Sequence, residues 1–215
     1  ITPGTVVDHT VLDETKNNYI LSVFSSTGGY GIAVCDVTTG EFQTTEFRSV
    51  QAAEKILDET ARFAPAELIC NSEFLSTPLA QELERRFRLY LNDIDSRMYE
   101  YHTAQDALLA HFKVKTLEGF GLQKKLLAVC ASGALMWYLN ETQKNELSHI
   151  SVLKYYTTGD FMLLDSSSRR NLELTETMRE KNKKGSLLSV LDKTQTAMGA
   201  RLLRKWVEQP LLSKE

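Results

Sequence analysis

Hydrophobic and polar positions divide the chain into a β-rich opening, an alternating middle and a helical tail. Tyr19 to Phe24 and Tyr30 to Val37 are dense in β-branched and aromatic residues, with the turn-forming cluster Ser25 to Gly29 between them. Thr38-Thr39-Gly40 leads into a third such run, Glu41 to Phe47, and Gly40 can take positive φ there without a Cβ clash. The three runs predict an antiparallel meander. Ahead of them, Ile1 to Thr5 is an opening loop with Pro3-Gly4 as its turn signal. Val11-Leu12 and the polar stretch Asp13 to Asn18 follow.

After Phe47 the apolar spacing changes from two to between three and four. Ser49 can cap a helix whose apolar face is Ala52, Ala53, Ile56, Leu57, Thr60 and Phe63, ending at Pro65. Glu67 to Cys70 predicts a short strand. Thr77-Pro78 opens another helix with Leu79, Leu83 and Phe87 on one side, and Leu89 to Leu91 predicts a fifth strand. Three antiparallel strands followed by helix, strand, helix and strand is the order of an RNase H-like α/β domain.

Thr103 with Asp106 gives a capping-box-like start to a helix in which Ala104, Ala107, Leu108 and His111 share a face. Gly119-Phe120-Gly121 breaks the chain. Leu122 to Glu141 then predicts one long helix, apolar nearly all round and therefore buried. Gly133 inside it lowers helix stability and points to a close neighbour. Val152 to Tyr156 and Phe161 to Leu164 predict a β-hairpin around Thr157 to Asp160, and a domain boundary is expected there. Glu176 to Gly185 predicts a mobile charged loop. In the last helix, Thr196 is the cap, Leu202, Leu203, Trp206 and Val207 form a stripe, and Pro210 stops it. With little chain after that stripe and no methionine at Ile1, the sequence is expected to be a piece of a longer protein.

Three ordered blocks resemble the MutS family of bacterial DNA mismatch-recognition proteins. In the tail they are Asp165, Arg169-Arg170-Asn171-Leu172-Glu173-Leu174, Ser186-Leu187-Leu188, Leu191-Asp192, Thr194, Thr196, Met198-Gly199, Arg201-Leu202-Leu203, Trp206 and Pro210-Leu211. Ile1 to Thr5 resembles the opening of that family's connector domain. Gly119-Phe120-Gly121, Ala134 to Tyr138 and Thr142-Gln143 resemble its helical end. The resemblance implies an RNase H-like connector over 1–155 and an incomplete, helical N-terminal part of the core (lever) domain over 156–215. It implies a non-catalytic link between mismatch-binding and core parts that relays conformational state and offers a docking surface to MutL. The matching surface here is Gln105, Asp106 and Ala107, where other members carry glutamines at the positions of Asp106 and Ala107. ATP, Mg²⁺, mismatched DNA and dimerisation belong, by the same resemblance, to the full-length family. Neither a phosphate loop of the form G-x-x-x-x-G-K-[ST] nor the mismatch-reading Phe-x-Glu motif has a match here, and no cofactor is implied for this piece.

Charge and candidate chemistry change this picture little. A net charge of -3 and a pI near 5.9 argue against a free-standing nucleic-acid binder. Three cysteines, Cys35, Cys70 and Cys130, are widely spaced and form no C-x-x-C pair, which fits buried reduced thiols in a cytoplasmic protein. No signal-peptide or membrane-spanning pattern is present. The alternative function is a metal-dependent RNase H-like nuclease using Asp36, Asp93 and Asp95, since two-metal cleavage needs converging carboxylates. Against it, active members carry an Asp inside the first strand, and Tyr19 to Phe24 has no acid. His102, Asp106 and His111 form a second possible metal set, with a capping Asp and a partly buried His as the plainer account. His9 and His149 are isolated, and no Ser or Cys has a His and an acid at recognisable spacing. Arg85, Arg86 and Arg88, and Lys181, Lys183 and Lys184, are basic clusters that either contact a phosphate backbone or are simply solvated.

Overall fold

Consecutive strand residues point to opposite faces of a sheet, and here both faces are covered. The computed structural model describes residues 17–143, 147–160, 162, 164 and 166–212. The expected opening loop Ile1 to Thr5, His9, Val11-Leu12, most of Asp13 to Asn18, and Phe161, Leu163 and Asp165 lie outside the described residues. Strands β1 (Tyr19–Ser26), β2 (Gly29–Asp36) and β3 (Phe42–Phe47) form the expected antiparallel meander. Helix α1 (Ala52–Phe63) leads to β4 (Glu67–Cys70), which pairs parallel to β1. The short α2 (Ser72–Leu75) and α3 (Pro78–Phe87) lead to β5 (Leu91–Asp93), parallel to β4. Helices α4 (Tyr101–Phe112) and α5 (Leu126–Thr142) precede β6 (Leu153–Tyr155). The sheet order is β5-β4-β1-β2-β3-β6, the mixed α/β arrangement expected of the RNase H-like domain with one further strand at its edge.

Ile20, Ala33, Cys35, Phe42 and Ile69 face one layer with α4 and α5, while Leu21, Val23, Ile32, Val34, Leu68 and Cys70 face the other with α1 and α3. Alternation along each strand thus supplies two cores at once. Helix α5 is buried along almost its whole length, as its all-round apolar sequence predicts. It starts at Leu126, not Leu122, because Lys124 takes a left-handed φ of 62° between them. A cap from another strand fixes that start. Glu46 on β3 accepts from the amides of Leu127 (3.2 Å) and Ala128 (3.4 Å), two donors the first helical turn leaves unpaired. Beside it, a Cβ on Gly31 would lie 2.0 Å from the Leu127 carbonyl oxygen, so the helix rests directly on β2.

Four local expectations are corrected. Ser49 does not cap α1 through its side chain: its carbonyl accepts from Ala52 (3.0 Å), and Gln51 stands at the cap. Strand β5 runs Leu91–Asp93, overlapping the expected Leu89 to Leu91 only at Leu91, because the left-handed Arg88 (φ 54°) ends α3 and displaces the pairing. Helix α4 begins after Glu100, so Thr103 lies within it and does not cap. Leu153–Tyr155 is no hairpin arm: it pairs parallel to β3 (Phe42 with Leu153, Thr44 with Tyr155) and is followed by a 3-10 turn, Thr158–Asp160.

The chain separates into two compact units, one comprising Asn18–Tyr156 and a second comprising the residues from Thr157. The second holds α6 (Ser166–Asn171), α7 (Leu187–Leu191) and α8 (Ala197–Glu208). Thr196 Oγ1 accepts from Gly199 N (3.1 Å) and caps α8 as expected. Backbone bonds from Leu187 to Glu173 (3.0 Å) and Leu188 to Leu174 (2.8 Å) tie the two sides of the charged loop. Thr177 N donates to Asn182 O within it (2.9 Å). Among the described residues of this unit, Leu188 and Ala200 are buried, while Met198, Leu202 and Trp206 stand exposed on α8.

Candidate partner surface

The segment leading into α4 is organised by one side chain reaching inward and one ion pair outside. Tyr99 is buried, stacks on Phe24 at 5.4 Å between ring centroids, and pairs its hydroxyl with Ser22 Oγ at 3.3 Å. Burial pushes its phenol well above the ordinary range. Asp95 turns the chain by accepting from Arg97 N (3.0 Å) and holds the Arg97 guanidinium (2.9 Å), which keeps its carboxyl below the usual carboxylate range.

Helix α4 presses Ala104 and Leu108 inward. At Ala104 it meets Gly133 of α5, where a Cβ would lie 2.2 Å from the Ala104 carbonyl oxygen and 2.3 Å from its Cα. Gly133 is therefore the contact its position in an apolar helix predicts. The opposite face carries His102, Asp106 and Ala110 exposed, with Gln105 and Ala107 half-buried on either side of Asp106. His102 and Asp106 stand one turn apart on the same outward side. Of the three residues proposed from the resemblance, Asp106 thus points outward, flanked by the half-buried Gln105 and Ala107, on a helix whose back is fixed by α5. Its outward face carries the Asp106 carboxylate and the His102 imidazole, with the Gln105 amide at its margin.

The metal and nuclease sets do not converge. His111 Nε2 is bonded to the carbonyl of Ile150 (2.8 Å), away from His102 and Asp106. His149 Nε2 is bonded to the Val37 carbonyl (2.9 Å), so both histidines pin the same short segment to the first unit. Asp36 is buried and its carboxylate accepts from Thr38 N (2.9 Å), Thr38 Oγ1 (2.7 Å) and Thr39 Oγ1 (2.8 Å), the turn chemistry expected of it. Asp36 pairs with Tyr19 at one end of β1, whereas Asp93 pairs with Cys70 opposite Val23. Four residue steps along β1 separate the two rows, roughly 13 Å along the sheet. Among the described residues no group of three His, Cys, Asp or Glu is placed to hold a metal.

Arg85 and Arg86 occupy the last turn of α3, with Arg88 at its C-cap. Cations there complement the helix dipole. Lys183 is bonded to Asp192, and this contact with Thr194 holds the Asp192 carboxyl far below its ordinary range. All three cysteines are buried, and burial pushes Cys70 up to about 12 and Cys130 up to about 11.

Two buried polar clusters escape sequence reasoning. In one, Tyr138 donates to Glu67 (2.7 Å), as does Asn92 (3.2 Å). In the other, Arg62 Nη1 bonds both oxygens of Glu59 (3.2 and 3.1 Å), and Tyr156 donates its hydroxyl to Glu59 Oε2 (2.5 Å). Glu59 and Arg62 read as an ordinary three-apart surface pair.

Comparison with known families agrees with this architecture. The model for MutS domain II matches residues 18–151 and that for MutS domain III matches residues 167–215. Neither matched region is the ATPase domain. The DNA mismatch repair protein MutS of Ruminiclostridium cellulolyticum is 51% identical over 214 residues, covering 99% of this chain and 24% of that protein. The protein of the same name from Lachnoclostridium phytofermentans is 46% identical over 216 residues, covering 100% and 23%. That from Acetivibrio thermocellus is 45% identical over 214 residues, covering 99% and 24%. The chain thus spans about a quarter of the length of these relatives. Matches that cover most of the α/β unit and the helical tail, with relatives aligned over 99% of the chain, place it in the MutS family of DNA mismatch repair proteins, as its domain II and part of its domain III.

Proposed function

We propose that this chain is the non-catalytic connector of a mismatch-recognition protein, over 1–155, with the first part of the core domain from 156. It joins mismatch-binding and core/ATPase parts, relays their conformational state and offers MutL a docking surface at Gln105, Asp106 and Ala107. The observation that supports this reading is the ordered match to domains II and III, joined to a helix that exposes Asp106 outside and is fixed behind. ATP and Mg²⁺ act elsewhere in the full-length protein. Mismatched DNA is met through that protein, which works as a dimer in the cytoplasm. The chain itself needs no cofactor, and no described helix is long and apolar enough to cross a membrane.

Calorimetric titration of the chain with MutL from one of the matched species tests the docking surface. Binding weakened at least tenfold by Asp106→Arg is the expected result, since a charge reversal at an interface centre costs more than 1.4 kcal/mol. Binding that is indifferent to Asp106→Arg removes this helix face from the interface.

A further inference from the structure

We propose that Tyr156 and the Glu59–Arg62 pair form a latch tying the chain's exit from the first unit to helix α1. Tyr156 is the last residue of that unit. Its amide still donates to Thr44 O (3.0 Å), so its backbone remains on the sheet edge one residue beyond β6. Its side chain turns away from the layer Leu153 enters: Leu153 belongs to the α4–α5 core and Tyr156 to the α1 core. There its hydroxyl meets Glu59 (2.5 Å), and the Arg62 guanidinium sits against both the Phe63 ring (4.7 Å) and the Tyr156 ring (5.1 Å), which themselves meet edge-on at 6.4 Å. Tyr19 closes the cluster edge-on to Phe63 at 5.1 Å. Glu59, Arg62 and Tyr156 are all buried.

A plain anchor for a departing chain would be apolar. A buried ion pair is a costly substitute, because both charges lose water. Its advantage lies in the open state. When Tyr156 lifts, water can enter and take the place of its hydroxyl on Glu59, so opening exposes solvated charges beside the Phe63 ring and not an apolar pocket alone. Such a contact opens and recloses as a unit, and it makes α1 sensitive to displacement of whatever follows Tyr156. This rests on the relay reading above, for which it supplies a point of transmission.

Amide hydrogen exchange on the 215-residue chain tests the latch. Tyr156→Phe removes one hydroxyl and is expected to speed exchange in the second half of α1 about tenfold, the effect of losing one hydrogen bond to a charged group. Glu59→Gln should speed exchange of the Tyr156 amide in return, because coupling is reciprocal. Leu153→Ala loosens β6 on the other face and should leave α1 at its original rates. Unchanged α1 exchange in Tyr156→Phe, or an equal rise with Leu153→Ala, overturns the proposal. Neither MutL nor nucleotide enters the measurement, so failure of the docking surface and failure of the latch are separate results.

Discussion

Replacing Gly133 by alanine sets two effects of opposite sign against each other. Alanine is favoured over glycine inside a helix by about 1 kcal/mol. Its Cβ would, however, stand 2.2 Å from the Ala104 carbonyl oxygen, 2.3 Å from Ala104 Cα and 2.4 Å from its Cβ. Backbone cannot swing aside as a side-chain tip can, so α4 must retreat from α5 by about 1 Å to restore ordinary contact. A gap of that size forfeits a quarter to a half of each dispersion contact it opens. Overpacking of this kind costs about 1–3 kcal/mol, and a collision with backbone belongs at the upper end. The net expectation is a loss of about 2 kcal/mol, or about 4–8 °C in Tm for a chain of this size. Urea unfolding in a Trp206→Phe background reads the first unit directly. Trp206 is 63% exposed in the second unit, and its removal leaves Trp137 of α5 as the only tryptophan. Gly119→Ala, with nothing within 4 Å of the added Cβ, is the control expected to stay near neutral. A Gly133→Ala chain as stable as the control, or more so, would refute the close-crossing account.

The same unfolding assay should show Glu46→Ala losing about 1–2 kcal/mol, since it uncaps α5 and removes a negative charge from its N-terminus. Glu46→Gln should lose less, and neutrality of both would mean the cap is idle. The folded chain should resist thiol reagents at pH 8, with labelling of Cys35, Cys70 and Cys130 following the unfolding rate. Because the Cys70 thiol moves from an ordinary 9.0 to about 12 on folding, the folded state holds its proton longer than the unfolded state does. Stability contributed by the neutral thiol is therefore present below pH 9 and falls as pH rises toward 12. A midpoint in urea that stays flat between pH 8 and 10.5 contradicts this. With Mg²⁺ or Mn²⁺, no cleavage of RNA/DNA hybrid or single-stranded DNA is expected. Cleavage abolished by joint replacement of Asp93 and Asp95 would instead establish nuclease chemistry.

The meander was legible because β1, β2 and β3 are long enough to show strand composition and are joined by short turns. Helix α5 was legible because few residues in it are polar. Strand β6 was expected within Val152 to Tyr156, but its pairing was not legible, since its partner β3 lies far back in the sequence. The start of α5 was misplaced for a similar reason: its cap, Glu46, sits on another strand, and nothing near Leu126 in sequence reports it. Gln105, Asp106 and Ala107 lie in α4 but past its first turn, since the helix starts at Tyr101; Thr103 was read as a cap because the extended Glu100 that starts α4 carries no capping side-chain bond. Glu59 and Arg62 escaped notice because their burial is imposed by Tyr156, which lies far from them along the chain.

The pairing of Phe42 with Leu153 also bears on how the protein is made. During synthesis β3 emerges early, yet its outer neighbour leaves the ribosome only after α1 through α5 have been produced. Until then the edge of the meander offers unsatisfied N–H and C=O groups to any strand that passes, the usual route to mispairing. Closure across so long a stretch of chain is slow relative to the local helices. The final strand therefore acts as a completion signal. Its arrival covers the outer side of β3 and, one residue later, delivers Tyr156 to α1, so the first unit is finished as the chain passes into the second.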